Sequence, residues 1–314
     1  MIYTQIRAFD AVAREGSFSR AAAALGLTQP AMTIQVKALE ERHGLKLFDR
    51  QGRKVRLTEA GQRLYAISRQ LAGFEERIEE ALAGSDELQG GTLRLAVDGP
   101  HIVMGLFARF LARHPHVRLT VATGNTRYVR QELLDGHVDL AILPKIDSHP
   151  QVEAVPLWQH RAVLIVANTH PWARRKSISI GELDGQPMIG REEGSMTQKI
   201  WDDAVTRAGV KPDTVLELGS REALCEAVSA GLGHGVIWEL EGYGSTRFRS
   251  LPFSDADVQS TDYIACLKSE RMRRIIQAFM HVTTTLPDDR TDVRALRPEV
   301  RPLQPNARRR KTGT

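Results

Sequence analysis

Two groups of side chains in this sequence have the types and spacing to do chemistry. In the first, Gln29, Thr33, Gln35 and Lys37 follow one another closely, and Arg50, Arg53, Lys54 and Arg56 crowd into seven positions. Glutamine and threonine exchange hydrogen bonds with base edges, while lysine and arginine neutralise phosphates. Ser19, Thr28 and Pro30 complete this candidate DNA-binding set. The second group falls in loops after predicted strands: Gly99-Pro100-His101, Asn125-Thr126, Arg191 with Ser195-Met196-Thr197, and Ser220-Arg221. Three of these loops lead into helices, whose free N–H groups and positive dipole ends favour an anion. Arg191 or Arg221 offers a bidentate clamp for a phosphonate or carboxylate. The same serines and threonines also suit plain helix caps, and Arg221 can equally pair with Glu217 or Glu222.

Machinery for making or breaking bonds is missing from the pattern. The sequence has no glycine-rich phosphate loop with its lysine, no GxSxG elbow and no carboxylate pair at metal spacing. His101 has no Cys, His or carboxylate partner at ligand spacing. Cys225 and Cys266 sit in apolar surroundings, as packed thiols do in a reducing compartment. These features predict a protein that is not an enzyme and takes neither cofactor nor metal.

The first group must be positioned by helices. Ile6, Phe9, Val12 and Ala13 mark the buried face of a first helix closed by Gly16. Ser19 is expected to cap a second helix over "RAAAALG", ended by Gly26. After a Leu27-Thr28 turn, Pro30 fits the first turn of a third helix that buries Met32, Val36 and Leu39 and stops at Gly44. Two short helices joined by a tight turn make a helix-turn-helix, whose second member can enter a major groove. "LKLFDRQGRKVRLT" then reads as a hairpin turning at Gln51-Gly52, with four cations at its tip. A plain three-helix bundle with solvated polar positions would share the helix pattern; the cationic wing beside it favours DNA.

Thr58 opens a long helix in which Leu64, Ile67, Leu71, Phe74, Ile78 and Ala81 recur at alternating steps of three and four. That seam can pack on the chain's own body or pair with a partner helix, and its charged flanks favour the partner. From "GGTLRLAV" onward, strands and helices alternate in an α/β pattern with a mostly parallel sheet. Two similar units, roughly 90–160 with a returning end and 161–265, would enclose a cleft at their strand ends. The proline- and arginine-rich stretch from Pro287 carries no apolar period and should be disordered.

Composition agrees. A hydrophobic share of 42% with 26% charge suits a soluble globular protein. The longest apolar runs, such as "RAVLIVAN", are too short to span a bilayer. "MIYTQIRAFD" places charge where a signal peptide needs apolar residues, so a cytoplasmic location is expected. Residues 1–65 carry 11 Lys+Arg against 6 Asp+Glu, residues 66–89 carry 2 against 6, residues 90–286 balance at 22 and 22, and 287–314 carry 8 against 4. The positive excess lies at the two ends, which points to a polyanion there rather than at the middle.

This order of parts resembles the LysR-type transcriptional regulators over residues 2 to about 285. Phe18, Ala21-Ala22, Leu25, Gln29-Pro30, Leu39-Glu40, Leu47-Phe48, Arg50, Leu57-Thr58 and Gly61 all stand where the family pattern has them. The resemblance implies a winged helix-turn-helix DNA-binding domain over 1–58, a linker and dimerisation helix over 59–89, and a two-lobed α/β effector domain of periplasmic-binding-protein type over 90–286. A basic tail over 287–314 follows. It further implies a homodimer or homotetramer that binds double-stranded DNA and a small-molecule inducer. "REEGSMT" and "GSREA" are similar to the subgroup associated with aminoethylphosphonate catabolism. The body alone would also suit a solute-binding protein, but the basic N-terminal module argues against that reading.

Overall fold

A computed structural model of the 314-residue chain describes residues 2–51, 54–83, 88, 90–144, 149–242 and 244–284. Arg53, the tail from 287, and the side chains of Arg50, Lys54 and His101 lie outside the described residues.

The head is built from α1 (Ile2–Glu15), α2 (Phe18–Ala24), α3 (Gln29–His43) and the antiparallel pair β1 (Phe48–Gln51) and β2 (Lys54–Leu57). Gly44 closes α3 at a φ of +61°, a left-handed turn that glycine adopts without side-chain strain. Thr28 caps α3 by accepting the Ala31 N–H at 3.4 Å, and Pro30 occupies its first turn. Ser19 does not form the expected cap. The cap of α2 is Ser17, in extended backbone and accepting from Arg20 N, whereas Ser19 lies inside the helix and is exposed. Buried Phe18 already belongs to the helix, so the cap must precede it. The apolar faces meet around Phe9, Phe18, Met32 and Phe48, with the Phe48 ring 5.3 Å from Phe9 and 5.8 Å from Phe18. The Phe48 ring thus fastens the wing to the helices.

The stalk, α4 (Glu59–Ala83), leaves Ile67, Phe74, Ile78 and Leu82 between 55% and 77% exposed. Of the other seam residues, Leu64 and Leu71 are half-buried, Leu64 against the head core, so the seam is covered only in part by its own chain.

The body has two lobes. In lobe I, β3 (Gly91–Val97) lies between parallel partners β4 (Val117–Thr123) and β5 (Leu140–Pro144), linked by α5 (Pro100–Arg113) and α6 (Thr126–Leu134). Lobe II carries the parallel pair β7 (Pro187–Arg191) and β8 (Asp213–Leu218), with α7 (Met196–Ala208) and α8 (Arg221–Ser229) following them. β6 (Val152–Ala167) and β11 (Gln259–Leu267) pair antiparallel. The far half of β6 also pairs with β9 (Gly235–Trp238) and β10 (Phe248–Pro252), and α9 (Glu239–Gly242) and α10 (Arg274–Thr284) complete the body. Among the described residues the main sheet runs β10-β6-β11-β5-β3-β4, with β9 beside β6. It is mixed rather than mostly parallel, because every strand pairing with β6 or β11 is antiparallel. Phe107, Phe110 and Phe279 fill one face of lobe I, and Trp201, Val205 and Trp238 sit in the core of lobe II.

Candidate nucleic-acid interface and ligand cleft

On the head, Thr28, Gln29, Pro30 and Lys37 are exposed, while Thr33 and Gln35 are half-buried. The Thr33 hydroxyl donates to the Gln29 carbonyl at 3.0 Å, leaving its oxygen as an acceptor only. Lys37 makes an exposed ion pair with Glu41 at 3.2 Å, too weak in water to withhold it from a phosphate. Sequence reasoning passed over Ile34, which is 65% exposed on this same helix. An apolar side chain beside exposed polar groups of this kind can cover a thymine methyl. The wing is held against α3 by Glu40, whose Oε1 accepts the N–H groups of Leu47 at 2.7 Å and Phe48 at 3.3 Å. The Thr58 hydroxyl donates to Lys46 O at 2.6 Å and accepts Gly61 N–H at 3.0 Å, tying the wing to the stalk.

Between the lobes opens a cleft of about 300 Å³. Of the expected residues, Gly99, Pro100, Asn125, Arg191, Thr197, Ser220 and Arg221 line it. Thr126, Ser195 and Met196 do not. Thr126 is buried and donates to Asp98; Ser195 is buried and accepts Gln198 N–H at 3.4 Å as a cap. All four loops, not three, lead into helices, since Gly99, Asn125, Ser195 and Ser220 are the caps of α5, α6, α7 and α8. Gly99 supplies no side-chain cap, Pro100 brings no N–H, and the Ile102 N–H donates to the Gly99 carbonyl at 3.2 Å. Asn125 Nδ2 donates to Glu192 Oε1 at 3.2 Å and Arg127 pairs with Glu193 at 2.6 Å, so the lobes are bridged at the mouth.

The cleft is more acidic than the loops suggested. Asp98, Glu192, Glu222, Glu241 and Asp262 share it with Arg191 and Arg221. Arg191 is bound to Glu192 at 2.9 and 3.2 Å, and Arg221 to Glu222 at 3.1 Å and to the Glu241 carbonyl at 3.3 Å. Burial pushes the Asp98 carboxyl up to about 7; the Thr126 hydroxyl opposes the rise and the Glu241 and Asp262 charges add to it. At the back, Trp158 Nε1 donates to Asp262 at 2.8 Å, and buried His160 lies 3.4 Å from Asp262 and stacks on Trp238 at 4.6 Å. Nothing in the spacing of Asp98, Trp238 or Asp262 marks them in the sequence, because they meet only across strands.

The model described as "LysR substrate binding domain" matches residues 86–286, and that of "Bacterial regulatory helix-turn-helix protein, lysR family" matches residues 3–62. The chain belongs to the LysR family of transcriptional regulators. This LysR-type regulator is 31% identical over 282 residues to the HTH-type transcriptional activator CmpR of Synechocystis sp., a match covering 88% of the chain and 92% of the relative. It is 34% identical over 235 residues to the RuBisCO operon transcriptional regulator of Allochromatium vinosum, covering 74% and 78%. A full-length OxyR variant from Pseudomonas aeruginosa shares the fold at a TM-score of 0.77 and 24% identity, over 91% of this chain and 95% of that one. The Synechocystis PCC6803 CcmR regulatory domain, solved in complex with 2-PG, matches at 0.59 and 24% identity, over 63% and 98%. The relatives named here are regulators, and this chain is a DNA-binding regulator with an effector-binding domain rather than an enzyme. No helix among the described residues is long and apolar enough to cross a membrane.

Proposed function

We propose that the regulator acts as a homodimer or homotetramer paired through the stalk at 59–89, with the head at 1–58 reading DNA and the body at 90–286 sensing a small inducer. The exposed Ile67, Ile78 and Leu82 on α4 support the pairing, since an apolar stripe of this length costs free energy in water unless a partner covers it. Gln29, Ile34 and Gln35 contact base edges, and Lys37 with the wing cations contacts phosphates.

The inducer we propose is a small metabolite with an anionic group, of the phosphonate or carboxylate class, and a hydrogen-bond-donating or cationic end. The convergence of the α5 and α8 starts with Thr197, Ser220 and Arg221 in one cleft carries this reading. Both arginines are paired, but Arg221 Nε is buried with no hydrogen-bond partner among the described residues, so it joins the helix N–H groups and hydroxyls in holding the anion. The carboxylates of Asp98, Glu241 and Asp262 suit the opposite end, and "REEGSMT" and "GSREA" support an aminoethylphosphonate-like choice. Calorimetry of the full-length protein with aminoethylphosphonate, phosphate and simple carboxylates tests it. The zwitterion should bind tightest; equal indifference to all three would overturn the reading.

A further inference from the structure

Away from the cleft, the head and stalk meet lobe I around a second cavity of about 230 Å³. Arg14 of α1, Arg69 of α4, Arg94 of β3 and Arg273, just before α10, converge there with Asp10, Asp139 and Glu270. Arg273 is committed, at 2.6 Å from Asp139 and 3.4 Å from Glu270. Asp139 also accepts the Arg94 backbone N–H at 2.8 Å. The other three guanidinium groups are loosely held. Arg69 stands 4.0 Å from Asp139, Arg94 stands 3.7 Å from Glu15, and Arg14 stands 3.8 Å from Asp10 and 3.6 Å from Glu15. All four distances exceed hydrogen-bond reach.

Arg69 Nη1 and Arg14 Nε are buried with no hydrogen-bond partner among the described residues. A buried charged donor without an acceptor is costly, so an acceptor placed between these groups gains more than it would at the surface. Arg69 packs against Gly136, where a Cβ would come within 1.8 Å of its Nη1, and its guanidinium lies 6.0 Å from the centre of the Tyr65 ring. Of the carboxylates, Asp139 and Glu270 are occupied by Arg273. Burial raises the Asp10 pKa, and the Ser68 hydroxyl, which donates to its Oδ1 at 2.8 Å, opposes the rise.

We propose that this joint is a second binding site, for a small oxyanion held by Arg14, Arg69 and Arg94. Those three residues belong to head, stalk and body, so the bound anion links the DNA-binding head to lobe I and couples anion concentration to head orientation.

Calorimetric titration of the full-length protein with inorganic phosphate, and separately with acetate at matched ionic strength, tests the site and tells phosphate from carboxylate. Wild type should bind saturably, Arg69→Met and Arg94→Met should each weaken binding about tenfold or more, and the cleft variant Arg221→Met should retain the joint site. Hydrogen exchange of the wild-type protein gives a readout that no variant's folding can confuse. Phosphate should slow exchange at the C-terminal end of α1 and along β3. Absence of saturable binding to either anion, binding unaltered in both Arg69→Met and Arg94→Met, loss of all binding in Arg221→Met, or unchanged exchange at the joint would each overturn the site. Loss confined to the inducer in Arg221→Met speaks only to the cleft.

Discussion

A Cβ on Gly61 would sit 2.2 Å from the carbonyl oxygen of Leu47, so the first turn of α4 rests directly on the backbone entering the wing. The same Leu47 carbonyl accepts Thr58 N–H at 3.0 Å. Stalk and wing are therefore one mechanical piece, and rotation of α4 carries the wing with it. Gly61→Ala must push this contact apart, at a cost of roughly 1–3 kcal/mol. Gly26→Ala is the comparison: its φ of +66° is strained for alanine, but open space surrounds the added methyl, so about 1 kcal/mol is expected. Chemical denaturation of both variants orders the two costs; equal losses would mean that the Leu47 contact relaxes freely.

The reading helix should separate discrimination from general affinity. Arg56→Ala, on the exposed return strand of the wing, should weaken binding to every sequence alike and lower the slope of affinity against salt by about 1. Gln29→Ala and Ile34→Ser should instead flatten differences between operators, by about 1–3 kcal/mol per contacted base pair. Binding across a panel of duplexes at several salt concentrations reads both. Uniform loss in all three variants would end the division of roles.

Charge on the stalk seam should dissolve the pairing. Ile78 and Leu82 are 58% and 77% exposed in the single chain, and a glutamate at Ile78 would bring like charges together across a two-fold interface. Sedimentation should show Ile78→Glu as monomers at concentrations where wild type is associated, with DNA affinity falling in step. A wild-type chain already monomeric would remove the stalk from the assembly.

The head was largely legible because its signals are local. Gly16, Gly26 and Gly44 all take positive φ where the helices end, and Met32, Val36 and Leu39 are buried as their spacing requires. The body was legible as alternation but not as a boundary. "WQHR" at 158–161 interrupts an apolar run and resembles the end of one unit, yet β6 continues through it for sixteen residues, because Trp158 and His160 find partners in Asp262 and Trp238 on distant strands. "FRSLP" carries too short an alternation to announce β10. Asp98 and Asp139 have no motif at all, and their importance arises from partners 28 and 134 positions away.

Asp98 makes both stability and inducer affinity depend on pH. Its carboxyl titrates near 7 in the folded chain and near 3.8 when unfolded, so between those values the native state holds the extra proton. Stability contributed by this group therefore falls as pH rises from about 4 to about 7 and is level above, with a span on the order of 4 kcal/mol. Asp98→Asn keeps an acceptor for the Thr126 hydroxyl and removes the titration, so the variant should be relatively more stable than wild type at pH 8 than at pH 5. Inducer affinity should behave oppositely. A donor or cation beside Asp98 favours the ionised form, so wild-type affinity should rise through pH 7 while that of the variant stays flat. Urea unfolding and calorimetry at four pH values between 5 and 8 check both arms; parallel curves for the two proteins would place the titrating group elsewhere.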